Sequence, residues 1–287
     1  MQFQRHLCLT ALILIAGLPG FSQGTAEVKK PEIPGVAHVA VMYNDMEAGR
    51  AFMEKLGFEV GYDAHLEGVL TQHVIKVNDH QWIEVHPLLA RAGIVGPKRE
   101  IQPQGYSHIC FETTDIKSAQ AQWVAAGLKP SPVERGKGDQ TQEFGTWSPD
   151  GRIVEVQEFV FDSMAKQQLG QHLGEARVSK WLLGVDLPVP DVAAMKKFYE
   201  AAGFIGVPDG DAVQMSPPGH PEVRVVLRPK SEAAKPKLLF AVDDADRAAK
   251  SLSAAGLTVQ RGKKRASVTD MDGNVYVFME TGLHLPI

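Results

Sequence analysis

Short apolar runs alternate with amphipathic stretches along most of the chain, and the alternation has a fixed internal measure. Four times an apolar run leads into an Asp, and a Gly stands twelve residues later: Asp45/Gly57, Asp115/Gly127, Asp191/Gly203 and Asp244/Gly256. An Asp side chain accepts hydrogen bonds from the open N–H groups of a helix's first turn, and Gly takes the left-handed conformation that ends one. The spacing therefore predicts four helices of about three turns, over 45–56, 115–126, 191–202 and 244–255. Met46, Phe52, Met53 and Leu56 mark the apolar face of the first, and Ile116, Ala119, Trp123 and Val124 that of the second.

The apolar runs between these helices read as strands. Residues 36–41 precede the first helix, and 58–62, 69–77 and 81–85 follow it. Residues 107–111 precede the second, with 128–133, 141–147 and 152–159 after it, the last behind the turn Ser148-Pro149-Asp150-Gly151. In the second half the clearest runs are 181–187, 223–228, 237–242 and 275–279. The order β-α-β-β-β thus occurs four times, an α+β pattern of four tandem βαβββ modules. Residues 161–180 differ: their Gln, Lys and Glu content with spaced Met164, Leu169 and Leu173 predicts a helical connector, broken at Gly170 and Gly174.

The N-terminus changes the picture. Arg5 and His6 precede an apolar run over 7–18, and Phe21-Ser22-Gln23-Gly24 follows, the order of a secretory signal peptide. Cleavage would leave an exported, periplasmic or secreted protein with no membrane segment and with Cys110 as its one thiol, so no internal disulfide. The expected divisions are a signal peptide over 1–23, a leader over 24–34, a first domain over 35–161, the connector over 162–180 and a second domain over 181–287. A formal charge of −4 with scattered Lys and Arg argues against a nucleic-acid partner. The expected partner is a small molecule, and the pattern leaves room for a homodimer.

Candidate chemistry lies where polar residues interrupt strands. His38 and His108 stand seven residues ahead of Asp45 and Asp115; the corresponding positions in the second half hold Gly184 and Lys237. Glu84 and Glu155 occupy matched last-strand positions, where the second half has Val226 and Val277. Strand alternation places all four on the face away from the helices. Two imidazoles and two carboxylates converging on one point suit one divalent ion such as Zn, Ni, Co, Mn or Fe. A cation would also offset the cost of half-buried carboxylates. Any of the four alone would read as an ordinary strand residue; their shared absence from the second half is what makes a metal site the better reading.

With paired βαβββ modules, a His-Glu-His-Glu set and the Ser148-Pro149-Asp150-Gly151 turn ahead of Ile153-Val154-Glu155, the chain resembles the vicinal oxygen chelate superfamily. That group includes glyoxalase I, methylmalonyl-CoA epimerase and the extradiol dioxygenases. The resemblance implies two open eight-stranded barrel-like domains, the first around a metal ion and the second without ligands. It further implies that the ion holds adjacent oxygens of a small substrate while a Glu moves a proton, in isomerase, lyase or epimerase chemistry. Glu155 is the first choice for that Glu and Glu84 the second. The alternatives are an Fe(II) extradiol ring-cleaving dioxygenase and a non-enzymatic binder of the bleomycin-resistance kind. Trp82, Cys110 and Gln157 share faces with the ligands and are assigned to substrate, although Cys110 also reads as a small core residue. His86 is read as an exposed strand end; His65, His73 and His80 as solvated; 135–142 as a surface loop; and 263–265 as a solvated charge run.

Overall fold

The computed structural model describes residues 32–88, 105–136, 138–232 and 234–282. The segment read as a signal peptide and most of the leader lie outside the described residues. The first unit is β1 (Gly35–Tyr43), α1 (Met46–Lys55), β2 (Glu59–Leu66), β3 (Val69–Asn78) and β4 (Gln81–Pro87). The second is β5 (Gly105–Glu112), α2 (Ile116–Ala125), β6 (Glu134–Arg135), β7 (Gln142–Trp147) and β8 (Ile153–Glu158). A short helix, α3 (Met164–Gln167), lies in the connector. Then come β9 (Trp181–Val189), α4 (Val192–Ala201), β10 (Ile205–Asp209), β11 (Ala212–Ser216) and β12 (Arg224–Pro229). The last unit is β13 (Lys237–Val242), α5 (Ala245–Ala254), β14 (Val259–Gly262), β15 (Arg265–Thr269) and β16 (Val275–Glu280).

The Asp and Gly signals work as the spacing implies. Asp45, Asp115, Asp191 and Asp244 cap their helices, each carboxylate accepting from the backbone N–H three residues on. Gly57, Gly127, Gly203 and Gly256 follow with φ of 80°, 83°, 96° and 79°, where a side chain would be strained. The strands form two eight-stranded mixed sheets of identical order, β2-β3-β4-β1-β5-β8-β7-β6 and β10-β11-β12-β9-β13-β16-β15-β14. At the centre of the first, β1 runs antiparallel to β5, and each has a parallel outer neighbour, β4 and β8. The fold is α+β, with two open barrel-like sheets.

Two expectations fail. Residues 128–133 form no strand, and pairing begins only at the two-residue β6. Pro130 and Pro132 supply no N–H for a ladder, which leaves one bond from the Ser131 N–H to the Gly145 carbonyl at 2.8 Å. The connector is mostly turns rather than helix, since Gly170 (φ 71°) and His172 (φ 54°) leave helical space soon after α3.

The helix-side faces of the two sheets share one apolar core, which contains Val39, Val41, Phe52, Trp123, Leu187 and Phe278. Phe111 meets Phe204 with ring centroids 4.8 Å apart, and Phe58 meets Phe240 at 5.8 Å. Each such ring withdrawn from water contributes about 1.5–3 kcal/mol. Polar ties lock the register between sheets: the Gln81 side chain both donates to and accepts from the Leu182 backbone at 2.7 Å. The opposite faces point away from this shared core. Over the first of them the connector folds back, placing Ala165 against Val74 and Trp82. The Gln168 amide donates to the Gly61 carbonyl at 2.9 Å, the Gly170 N–H to Asp79 at 2.9 Å and the Met164 N–H to the Asp139 carbonyl at 2.8 Å. No described helix is long and apolar enough to cross a membrane.

Candidate metal centre

A register irregularity in β1 between Val36 and His38 sets the site's phase. Past it, Val39 and Val41 enter the core while His38 turns to the other face, 5% exposed. Across the ladders His38 pairs with Cys110 on β5, Ala40 lies between Glu84 on β4 and His108 on β5, and Cys110 pairs with Glu155 on β8. The small residues Ala40 and Cys110 let the four longer side chains lean together.

They do meet. His38 Nε2 lies 3.1 Å from His108 Nε2, 3.7 Å from Glu84 Oε2 and 3.5 Å from Glu155 Oε2. His108 Nε2 lies 3.6 Å from Glu84 Oε2 and 3.4 Å from Glu155 Oε2. Donors bonded at about 2.0–2.2 Å to one tetrahedral ion stand about 3.3–3.6 Å apart, so these spacings suit a shared divalent cation. Side-chain exposure is 6% for His38, 12% for Glu84, 14% for His108 and 23% for Glu155, which makes Glu155 the most open of the set.

The electrostatics are those of a cluster holding a proton in a cation's place. Burial alone disfavours a charged His38, yet Glu84, Cys110 and Glu155 carry its pKa well above the ordinary value. At His108 burial prevails and the pKa falls. Burial also opposes ionised Glu84 and Glu155, but His38 acting on the first and His108 on the second hold both below the usual carboxylate range. Ligation requires neutral imidazoles, so metal and proton compete.

Several residues sit otherwise than expected. His86 is not an exposed strand end: its Nε2 contacts Glu84 Oε2 at 3.0 Å and its ring lies 6.3 Å from that of His108. Strand parity gave its face but could not show that neighbouring strands curl over it. His73 is not solvated; it is 1% exposed, with Asp63 at 2.6 Å on Nδ1 and Glu47 at 3.1 Å on Nε2. His80 is half-exposed and bonded to Glu112 at 3.1 Å. The loop read as plain surface sends Asp139 to the site, where a cavity of about 10 Å³ is lined by His38, Tyr62, Trp82, Glu84, Asp139, Gln157 and Phe159. Trp82 and Gln157 thus reach the cavity. Cys110 is fully buried, and its Sγ lies among the donor atoms of His38 and Glu155. Burial pushes its thiol pKa up to about 12, which favours the neutral form. Glu143 was overlooked, although its alternation with core residue Phe144 on β7 already puts it on the site face.

Residues 36–176, which hold the whole quartet, match the glyoxalase-like domain family. The first half of the chain thus carries a glyoxalase-like domain, consistent with the vicinal oxygen chelate fold. Solved structures of similar fold align with most of the chain. The 2,3-dioxygenase LapB from Pseudomonas sp. KL28 is similar with a TM-score of 0.68 and 17% identity, over 90% of this chain and 95% of that one. The Mn(II)-bound glyoxalase from Novosphingobium aromaticivorans is similar at TM-score 0.59 and 16% identity, over 89% and 86%. The H200E variant of homoprotocatechuate 2,3-dioxygenase from B. fuscum is similar at 0.63 and 16%, over 88% and 72%. At these identities the likeness is one of fold. No curated protein sequence matches the chain. The matched segment contains the side-chain cluster of the first sheet, His38, Glu84, His108 and Glu155.

Proposed function

We propose that the chain is a metal-dependent enzyme of glyoxalase type, with His38, Glu84, His108 and Glu155 holding one divalent ion. The observation that carries this reading is that each imidazole Nε2 lies 3.1–3.7 Å from the other imidazole and from both carboxylates. When bound, the ion supplies Lewis acidity to two adjacent oxygens of a small substrate. The protein's own groups do the rest. Glu84 is fixed by His86 at 3.0 Å and by the Gln72 amide at 3.4 Å, which suits it to a standing ligand. Glu155 is more open, and the strand beside it carries Gly145, where an added Cβ would meet Glu155 Cγ at 3.1 Å. That freedom suits Glu155 to taking a proton from substrate carbon and returning it, in isomerase or lyase chemistry. Phe159 and the connector's Ala165 close the cavity, so substrate displaces them on arrival and water is kept out afterwards.

The test joins metal content to turnover. Elemental analysis should find about one divalent ion per chain, and Glu155→Gln should lower turnover about 10²–10⁴-fold with the fold intact; unchanged turnover would refute the proton role. A second reading, an Fe(II) extradiol dioxygenase, is favoured by the likeness to LapB over both sheets. The second carboxylate weighs against it, because it occupies a position that oxygen or substrate needs. Oxygen uptake with catechol by the iron-reconstituted protein would establish this second reading in place of the first. On either reading export through residues 1–23 stays part of the proposal, as does a homodimer as its assembly.

A further inference from the structure

More carboxyl groups gather at and beside the cavity than one divalent ion needs. Glu84 and Glu155 match such an ion's charge, and two further carboxyl groups, each able to ionise against an added cation, remain. Asp139 lines the cavity, its oxygens accepting from the Thr141 N–H at 3.0 Å and the Thr141 hydroxyl at 2.7 Å. Glu143 is the cross-strand partner of Gln157 and lies within electrostatic reach of Glu155 and Asp139. Burial raises the pKa of both, that of Glu143 up to about 8, and neighbouring carboxylates add to each rise. No Lys or Arg lines the cavity among the described residues. Lys76, whose ammonium lies 5.3 Å from the Trp82 ring, is tied to Asp79 at 2.7 Å and to the Gln168 carbonyl.

A second observation is independent of charge. Gln157 is 1% exposed and lines the cavity, and its side-chain carbonyl Oε1 has no hydrogen-bond partner among the described residues. An orphaned buried acceptor in a cavity wall calls for a donor from whatever fills the cavity. The remaining walls are aromatic: Tyr62 stands edge-on to Trp82 with centroids 5.8 Å apart, and Phe159 adjoins them. Acceptors, carboxylates and ring faces together recognise a positively charged N–H donor, and they repel an anion.

We propose that the substrate carries its chelating oxygens on a cationic, amine-bearing body, whose protonated nitrogen donates to Gln157 Oε1 and Asp139 against the Tyr62–Trp82 wall. This inference rests on the chelating metal site proposed above. It excludes phosphorylated and polycarboxylate substrates, for which the cavity offers no counter-charge.

The test uses the full chain loaded with zinc, which is redox-inert, and three catechols that share the chelating oxygens. Calorimetry at pH 7 compares 4-(2-aminoethyl)catechol, 4-ethylcatechol and (3,4-dihydroxyphenyl)acetate. The expected order is amine, then ethyl, then carboxylate, with the amine at least tenfold tighter than its ethyl analogue. Asp139→Asn should bring the amine-to-ethyl ratio to within about twofold, and Glu143→Gln makes the same comparison if the first variant fails to fold. Equal binding of all three, or a ratio that survives in the folded variant, overturns the inference and leaves the metal reading standing. Failure of all three to bind a zinc-loaded chain would bring down the chelate reading itself, and this inference with it.

Discussion

The faces of the two sheets that point away from the shared core are built on identical ladders and filled in opposite ways. His38 beside Cys110 corresponds to Gly184 beside Leu239, and Glu84 beside Ala40 to Val226 beside Asp186. His108 beside Ala40 corresponds to Lys237 beside Asp186, and Glu155 beside Cys110 to Val277 beside Leu239. The second face is packed with Leu183, Val226, Leu239 and Val277. Asp186, buried on that face, accepts with both oxygens from Arg228 Nε at 2.9 Å and with one from Lys237 at 3.2 Å. Charge is closed within the second sheet by its own side chains, whereas the first has carboxylates that ask for a cation from outside. One backbone frame therefore carries a cluster of imidazoles and carboxylates or an apolar filling according to four positions.

Removing a donor breaks this contrast most sharply. His108→Ala should lower metal affinity by more than the ~10–100-fold that outer partners contribute, while Lys237→Ala at the matching place leaves metal content unchanged. Competitive metal titration of the two variants checks both outcomes; equal losses would mean that the quartet is not the site.

The next effect concerns whether the second sheet could regain a site. Gly184 has φ 138°, and a Cβ there would lie 2.0 Å from the Arg224 carbonyl oxygen, a backbone atom that cannot step aside. Gly184→Ala should therefore cost about 2–3 kcal/mol through strain and overpacking, read in denaturant melts. A variant melting like the parent would show that the position tolerates a side chain and that the loss of the ligand set there is reversible.

How far the sequence reaches follows from the same comparison. Helix ends were legible because an Asp cap and a left-handed Gly act within one turn and need no tertiary partner. The quartet was legible because the repeat supplied its own control, four polar residues against four others at matched positions. What escaped depends on chain segments far apart in sequence. For His86 and His73 alternation reports a face and not what lies beside it; the His108 ring near the first and Glu47 on the second come from other elements. Asp139 sits in a Gly-rich loop without periodicity, and only its tie to Met164 of the connector shows where it points. The connector's apolar spacing mimicked a helix, but Ala165 and Gln168 are used to cap a cavity rather than to complete turns.

Acidity separates the sheets further. In the first, Glu84 and Glu155 raise the pKa of His38 against the opposing effect of burial, so its proton is held more tightly than on a free imidazole and has to leave for a metal ion to bind. A raised folded-state pKa means that the proton is held below it and lost above it, so metal affinity should rise with pH until that value is passed. The limiting slope below that value is about tenfold per pH unit for one displaced proton. Calorimetry in two buffers of different ionisation heat counts the proton directly, and a flat profile would remove His38 from the ligand set.

The smallest effect tests the sharpest parallel. His86 and Arg228 occupy matched positions at the ends of β4 and β12, and each holds a carboxylate on its own face, Glu84 in one case and Asp186 in the other. If His86 acts by fixing Glu84, then His86→Ala leaves all four donors in place but lets one carboxylate swing. Metal affinity should then fall about tenfold, the lower end for an outer partner, and His86→Gln should recover part of the loss by donating through its amide. Arg228→Ala should leave metal affinity alone and lower stability instead, because it strips the bidentate partner from a buried Asp186. A His86→Ala loss as large as that of His108→Ala would instead make His86 a ligand, and the first sheet's donor set would then number five.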